Sequence, residues 1–215
     1  YVNAETPEQG LVYDAKNLAF ILPAGKYIGN SRYKDVFAAS AMADLTSFRN
    51  HWGAETSLDV ELYRPVARYE LVAKDVATFL NKLSTGGLKG ESFTARVKYS
   101  DYLPTGYNLW DDVPKNSLMY MEYKVAFERP ADGTKDLQLG FDYVLTDAGE
   151  TVPIPVELEI LNEKNEVLAR TAFRIPCERG KNTTVRGNFL TSDINGGIGI
   201  DPDYDGDLEV DLGEL

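Results

Sequence analysis

One short acidic segment has the residue types and spacing of a metal site. Asp201, Asp203 and Asp205, followed by Gly206, match the first half of a calcium-binding loop, in which alternate carboxylates converge because glycine permits a sharp turn. The twelfth position is Leu212 where such a loop needs a bidentate glutamate, and the flanking patterns are those of strands. The turn Asp201–Asp207 therefore has two interpretations, a calcium site and a solvated acidic turn, and the missing ligand favours the turn.

The remaining residues with catalytic potential lack partners. His51 is the only histidine of the chain, so neither a histidine metal pair nor a second histidine for a relay exists. Cys177 is the only cysteine, which excludes an intramolecular disulfide, and its position after Pro176 favours a small buried side chain over a nucleophile. The sequence has no nucleophile elbow and no phosphate-binding glycine loop ending in Lys-Ser/Thr. We therefore expect no catalytic residues, no cofactor and no metal, and a protein that is not an enzyme.

Composition and charge exclude some classes of binding partner. The 215 residues include 34 acidic and 22 basic side chains, which gives a formal net charge of −12. Such a surface repels phosphate backbones, so we expect no nucleic-acid partner. No apolar run approaches the roughly 20 residues that a membrane-spanning helix requires. The chain begins with Tyr1 instead of Met, so any export signal or lipid anchor would lie upstream.

Alternation of apolar and polar residues dominates the chain from about residue 60 onward. A period of two is typical of half-buried strands, and turn signals separate the runs. The predicted strands have the following apolar positions: Ala67–Leu71, Phe93–Tyr99, Met119–Phe127, Leu137–Leu145, Val152–Ile160, Val167–Ile175, Thr183–Phe189 and Leu208–Leu212. Seven or eight strands with short connections predict a β-sandwich. One short helix is expected over Asp75–Leu83, with Asp75 as its N-cap.

Two prolines bear on the order of the strands. Pro153 and Pro155 lie two residues apart, so both missing N–H donors point to the same side of their strand. That side must be unpaired, which predicts that residues 152–160 form an edge strand. Pro104-Thr105-Gly106 is expected to form a turn.

The first 60 residues follow a weaker pattern. Leu18–Leu22 and Thr56–Leu62 are predicted to be strands, and residues 35–50 have a mixed pattern that permits a short helix. These elements are too few for an independent sandwich. We therefore place a boundary near Tyr63-Arg64-Pro65. Residues 1–62 would be the remainder of an N-terminal β domain, and residues 63–215 a C-terminal β-sandwich domain.

Tyrosine is abundant, with 13 residues, and a group of them falls on neighbouring predicted elements. The group is Tyr99, Tyr102, Tyr107, Tyr120 and Tyr123. Packing in the core and at the rim of a sandwich explains such a group, because tyrosine suits half-buried strands. A carbohydrate-binding platform of exposed aromatic side chains is the alternative.

Three blocks of sequence resemble those of a known family. Leu62–Leu71 (LYRPVARYEL) resembles the strand that opens the C-terminal domain of fimbrillin-type fimbrial subunits from Bacteroides-like bacteria. Leu103–Asn108 (LPTGYN) is similar to a turn of that family. Ile175–Thr191 (IPCERGKNTTVRGNFLT) resembles a block near the family's C-terminus, and it is the most specific of the three. Tyr27–Phe37 also resembles the end of the family's N-terminal domain.

The resemblance implies a fold, a role and a location. The fold would be two transthyretin-like or immunoglobulin-like β-sandwich domains, the N-terminal one incomplete here. The role would be that of a structural or adhesive subunit of a pilus or fimbrium, exported as a secreted lipoprotein to the outer membrane. Its partners would be other fimbrial subunits, joined by β-strand addition. The segment after Leu208 is short, which is more typical of an accessory or anchor subunit than of a stalk subunit. A cell-surface binding module, for example for glycans, is the alternative function.

Overall fold

A computed structural model describes residues 5–6, 10–51, 53–192 and 208–211 of the chain. Strands dominate these residues, as the alternating sequence pattern predicts. In chain order they are β1 (Glu5–Thr6), β2 (Gly10–Leu11), β3 (Tyr13–Asp14), β4 (Leu22–Pro23), β5 (Val66–Ala73), β6 (Ser92–Tyr99), β7 (Leu103–Asn108), β8 (Val113–Leu118), β9 (Glu122–Glu128), β10 (Leu137–Leu145), β11 (Thr151–Asn162), β12 (Val167–Glu178), β13 (Asn182–Gly187) and β14 (Leu208–Asp211).

Two four-stranded sheets form the centre of the molecule. Their strand orders are β10-β5-β13-β14 and β12-β11-β6-β9. All neighbours are antiparallel except β5 and β13, which run parallel. The inward side chains of both sheets share one core, which includes Tyr69 and Leu71 from the first sheet and Val97, Leu158 and Ile175 from the second. The predicted β-sandwich is confirmed.

One α-helix, α1 (Val76–Ser84), packs against an end of this core. Its buried side chains are Val76, Phe79, Leu80 and Leu83, the stripe expected from the helical spacing. Asp75 is the N-cap residue, but its side chain makes no capping hydrogen bond to the helix. It accepts hydrogen bonds from the backbone N–H groups of Leu190 and Thr191 at 3.0 Å and 2.8 Å, and so fixes the chain that leaves β13.

The described part of the first 60 residues contains less regular structure than the sequence predicts. Thr56–Leu62 forms no strand, and Leu58, Val60 and Leu62 are about half exposed. The predicted strand Leu18–Leu22 is reduced to one bridge at Ile21 and the start of β4. Periodicity was misleading here because four to seven residues of alternation form a strand only when a partner strand is available. The expected helix over residues 35–50 is a single 3₁₀ turn, Thr46–Phe48.

A second, smaller cluster of buried side chains lies beside the sandwich core. It combines Val12, Tyr13, Ile21 and Val36 with residues beyond position 63, among them Tyr107. The boundary near residue 63 remains a prediction, and this cluster contains side chains from both sides of it.

Strands β7 and β8 form a hairpin that replaces the turn predicted at Pro104-Thr105-Gly106. Those three residues lie inside β7, and Gly106 pairs with Lys115 of β8. A Cβ atom on Gly106 would overlap the carbonyl oxygens of Lys115 and Ile21. The glycine therefore permits a close approach of three backbone segments and does not mark a turn.

The prediction that residues 152–160 form an edge strand is wrong, although its local reasoning holds. β11 lies between β12 and β6, but β6 covers it only from Val156 onward. The Pro155 carbonyl accepts the N–H of Ser100 at 3.1 Å, so the side of β11 that lacks the proline donors faces β6. Both prolines precede the residues that β6 pairs with. Among the described strands, β11 thus has a partner on both sides from Val156 onward and a partner on one side only before it.

Candidate functional site

Among the described residues, the outer side of β14 is an edge of the first sheet. The carbonyls of Lys181 and Gly187 accept the N–H groups of Arg68 and Lys74. The odd-numbered residues of 181–187, the segment that contains β13, therefore direct their backbone groups toward β5. The even-numbered residues of β13 therefore face β14, because the N–H and C=O of one strand residue point the same way.

The register between β13 and β14 then assigns the backbone groups of β14. Asn182 lies opposite Asp211, and Thr184 lies opposite Glu209, so residues 209 and 211 direct their backbone groups toward β13. The N–H and C=O groups of Leu208 and Val210 point away from the sheet. In the described part of the chain no strand pairs with this side of β14. An edge of this kind can accept a further strand.

The opposite edge of the same sheet, at β10, is closed by local contacts. The N–H of Asn30 donates to the carbonyl of Phe141 at 3.1 Å, and the Asn30 side-chain oxygen accepts the Phe141 N–H at 3.1 Å. The next outward N–H, that of Tyr143, donates to Asp142 Oδ1 at 2.8 Å. The two outward donors at residues 141 and 143 are thus satisfied without a partner strand.

A buried polar cluster lies behind the β10 edge. Asp142 has no exposed surface and accepts hydrogen bonds from Lys34 Nζ at 2.6 Å, from Tyr99 Oη at 2.7 Å and from Tyr27 Oη. Tyr69 Oη lies 2.7 Å from Tyr99 Oη and extends the network into the core. Lys34, Tyr69, Tyr99 and Asp142 are buried and Tyr27 is partly buried, so the sequence pattern alone did not identify the group. The group connects residues 27–34 to the sandwich.

Burial sets the ionisation behaviour of this cluster. It raises the pKa values of Tyr27 and Tyr99 well above the usual value, and the negative charge of Asp142 adds to the effect. Burial also lowers the pKa of Lys34, while the neighbouring Asp142 opposes that change. The phenols therefore remain donors at physiological pH.

A second carboxylate, Glu159 of β11, is equally buried but has three cationic partners. Its side chain accepts hydrogen bonds from Arg96, from Lys98 at 2.8 Å and from Arg170 at 2.6 Å. Burial alone would raise its pKa, but the hydrogen bonds from Lys98, Arg170 and Arg96 outweigh that effect and lower it to about 2. This group joins β11 to β6 and β12, and the cations remain partly exposed.

The residues singled out for catalysis are not brought together. His51 is exposed, whereas Cys177 is fully buried in the sandwich core. Burial raises the pKa of the Cys177 thiol to about 12, so the thiolate that a nucleophile requires is suppressed. In the described residues no group of three His, Cys, Asp or Glu side chains could hold a metal ion. The candidate calcium turn Asp201–Asp207 lies outside the described residues.

The tyrosine group divides into buried and exposed members. Tyr99, Tyr107 and Tyr123 are buried, as expected for core packing. Tyr102 and Tyr120 are 62% and 84% exposed, and Trp110 between β7 and β8 is 75% exposed. Tyr102 and Tyr120 flank the end of the hairpin where β7 begins and β8 ends, whereas Trp110 lies in the turn at the other end. The sequence analysis did not select Trp110.

A cleft of about 300 Å³ lies between the N-terminal segment and the sandwich. Its lining includes Tyr13, Lys26, Tyr27, Thr105 and Tyr143. It adjoins the buried cluster through Tyr27. Among the described residues, no helix is both long enough and apolar enough to cross a membrane.

The chain belongs to a family of unknown function, DUF6562, whose model matches residues 1–213. No curated protein matches the chain significantly. It is similar to a crystal structure from Bacteroides ovatus, provisionally described as a cell adhesion protein, with 13% identity and a TM-score of 0.36. That likeness covers 59% of this chain and 41% of the other.

A crystal structure from Bacteroides eggerthii with the same provisional description is 11% identical, with a TM-score of 0.35. This likeness covers 71% of this chain and 56% of the other. The chain thus spans about half the length of the structures it matches. Since both TM-scores lie below 0.5, these likenesses alone establish neither a shared fold nor a shared role.

Proposed function

We propose that this chain is a structural or adhesive subunit of bacterial surface fimbriae that joins other subunits by β-strand addition. The observation that carries the proposal is the asymmetry of the first sheet. The outward donors of Phe141 and Tyr143 are satisfied at one edge, whereas Leu208 and Val210 direct theirs outward at the other. Main-chain hydrogen bonds to an incoming strand would supply the affinity at that edge.

The sequence blocks that resemble fimbrillin-type subunits support the same role. They imply export to the cell surface as a lipoprotein of the outer membrane. The role needs no catalytic residue, so we also propose that the protein is not an enzyme. The burial of Cys177 and the exposure of His51 are compatible with that view.

Removal of residues 208–215 tests this function. Without β14, the even-numbered residues of β13 lose their partner and the β14 edge no longer exists. We expect the truncated chain to be depleted at least tenfold from surface fibres sheared from the producing cells. The matched control is Glu157→Gln in β11, which leaves both edges of the first sheet unchanged. A folded, truncated chain that enters the fibres at the level of the control would contradict the proposal.

A cell-surface binding module, for example for glycans, is the second candidate. The observation that favours it is the exposure of Tyr102, Trp110 and Tyr120 at the β7–β8 hairpin, since exposed aromatic rings can stack on sugars. This function predicts saturable binding on a glycan array that Tyr102→Ala and Tyr120→Ala, at the same end of the hairpin, each weaken at least tenfold. Binding that neither variant changes would exclude this end of the hairpin as the site.

A further inference from the structure

Lys34 and Asp142 are an amine and a carboxyl group held in contact inside the protein. Their side chains are 7% and 0% exposed, and Nζ lies 2.6 Å from Oδ1. The residues are 108 positions apart in sequence, one in the 3₁₀ turn Arg32–Lys34 and the other in β10. We infer that these two side chains condense to an intramolecular isopeptide bond, a covalent link between residues 27–34 and the sandwich.

The surroundings of the carboxyl group suit attack by the amine. Tyr27 and Tyr99 both donate their hydroxyl hydrogens to Oδ2, which is the oxygen that would become negative when the amine attacks Cγ. Two donors on a developing oxyanion are the arrangement that stabilises tetrahedral intermediates of acyl transfer. Lys34 Nζ also lies 3.3 Å from Tyr27 Oη, so this hydroxyl contacts both reacting groups.

The reaction balances without a cofactor or a co-reactant. One proton of the Lys34 ammonium passes to Asp142 Oδ1 along their hydrogen bond, which gives a neutral amine and a neutral acid. The nitrogen lone pair attacks Cγ, and the carbonyl electron pair moves to Oδ2. A second nitrogen proton then reaches Oδ1, directly or through Tyr27, and Oδ1 leaves as water. The Tyr143 N–H, which Oδ1 accepts before the reaction, then loses this acceptor, whereas the contact between Asn30 and the Phe141 N–H remains. The products are one amide, Nζ–H with Cγ=Oδ2, and one water molecule.

Three physical effects favour the amide over the ion pair. Burial of two charges carries a desolvation penalty, and the amide is neutral. The fold holds the two groups together, and effective molarities of well-oriented intramolecular reactions reach about 10⁵–10⁸ M. Burial also lowers the pKa of Lys34, which increases the share of the neutral, nucleophilic amine. The Tyr27 and Tyr99 hydroxyls can remain hydrogen bonded to Oδ2 when it becomes the amide carbonyl.

The intact mass of the purified wild-type chain is the direct test. We expect the denatured protein to be lighter than its sequence mass by one water molecule. Tandem mass spectrometry of a tryptic digest should contain a branched peptide that joins residue 34 to residue 142, uncleaved after the acylated lysine. A wild-type chain at its full sequence mass, without that peptide, would overturn the inference and leave the pair as an ion pair only.

Variants distinguish the two residues that form the bond from the tyrosines that would assist its formation. Lys34→Arg and Asp142→Ala should each have the full sequence mass, whereas Lys26→Arg, at a lining residue of the nearby cleft, should still lose water. The double variant Tyr27→Phe and Tyr99→Phe keeps both reacting groups but removes the two donors. We expect at least tenfold slower condensation after cell-free synthesis, and an unchanged rate would overturn the role of the two phenols. The test is independent of fimbrial assembly, so it can succeed or fail separately from the proposed function.

Discussion

The two edges of the β10-β5-β13-β14 sheet are closed in different ways. At β10, Asn30 and Asp142 satisfy the outward N–H groups of Phe141 and Tyr143, and the buried Lys34–Asp142 pair holds the covering segment in place. At the other edge, the four-residue strand β14 pairs with β13, and its own outer side is free of any strand among the described residues. An edge capped by side-chain contacts excludes a new strand, whereas an edge made of a short strand can accept one.

The largest expected effect comes from breaking the buried pair behind the β10 edge. Asp142→Ala removes the carboxyl group that Lys34 contacts and leaves a buried amine with the Tyr27 hydroxyl but no countercharge, which costs about 3–5 kcal/mol for pairs of this kind. The free energy of unfolding from denaturant titration measures this loss. The control is Asp136→Ala, because the pair between Asp136 and Arg186 is partly exposed and should contribute below about 1 kcal/mol. Equal losses in the two variants would show that Lys34 and Asp142 do not secure this edge.

The next effect concerns the chain that leads from β13 toward β14. Asp75→Ala removes the acceptor for the N–H groups of Leu190 and Thr191 and for the Thr191 hydroxyl. We expect a loss of about 2–3 kcal/mol, since these bonds go to a charged, buried group. Hydrogen exchange at residues 190 and 191 should accelerate strongly. Asp75→Asn keeps one acceptor and should lose less, and exchange that neither variant changes would contradict this anchoring.

A smaller effect is expected from removing the Asn30 side chain, which should make the β10 edge more like the open β14 edge. Asn30 has a positive φ of 53°, so Asn30→Gly preserves the backbone and removes only the side-chain acceptor of Phe141. The expected loss of stability is about 1 kcal/mol. With the Phe141 N–H exposed, the variant should also self-associate more than the wild type in light scattering. A variant as monodisperse as the wild type would show that Asn30 does not protect this edge.

A pH-dependent effect tests whether the stability of the second sheet depends on the charge of Glu159. The pKa of Glu159 is about 2 in the folded state against the usual 4.5, so its charge stabilises the fold above pH 4.5. That contribution declines as the pH falls toward 2. The melting temperature of Glu159→Gln should therefore lie below that of the wild type near neutral pH and approach it in acid. A difference that stays constant with pH would exclude this titration.

The sequence predicted where the strands and the helix lie along the chain better than which strands are neighbours in the sheets. Alternation located β5, β6, β10 and β12 because one face of each strand is buried, and helical spacing located α1. The position of β11 in the sheet was predicted wrongly, because a proline shows only that its own residue lacks an N–H donor on one side. It says nothing about the pairing of the rest of the strand. The Asp142 cluster was also missed, since its members come from four distant segments and only the fold brings them together. Trp110 was missed for a different reason, because exposure cannot be judged from a residue's type.

Two positions on opposite sheets allow a matched test of the open edge. Val210 directs its N–H outward from β14. In β9, the carbonyl of Met121 accepts the Tyr99 N–H, and the N–H of Arg129 donates to the Glu91 carbonyl, so the odd-numbered residues direct their backbone groups toward β6. The even-numbered Lys124 therefore directs its N–H outward, as Val210 does in β14. A proline at either position removes one outward donor and leaves the existing strand pairs in place.

Recovery of these two proline variants in sheared surface fibres tests strand addition at β14 most directly. After equal folding has been verified by melting temperature, Val210→Pro should be depleted at least tenfold relative to the wild type, because an added strand loses its main-chain partner. Lys124→Pro should be recovered at the wild-type level. Recovery of Val210→Pro equal to that of Lys124→Pro would contradict assembly through the β14 edge.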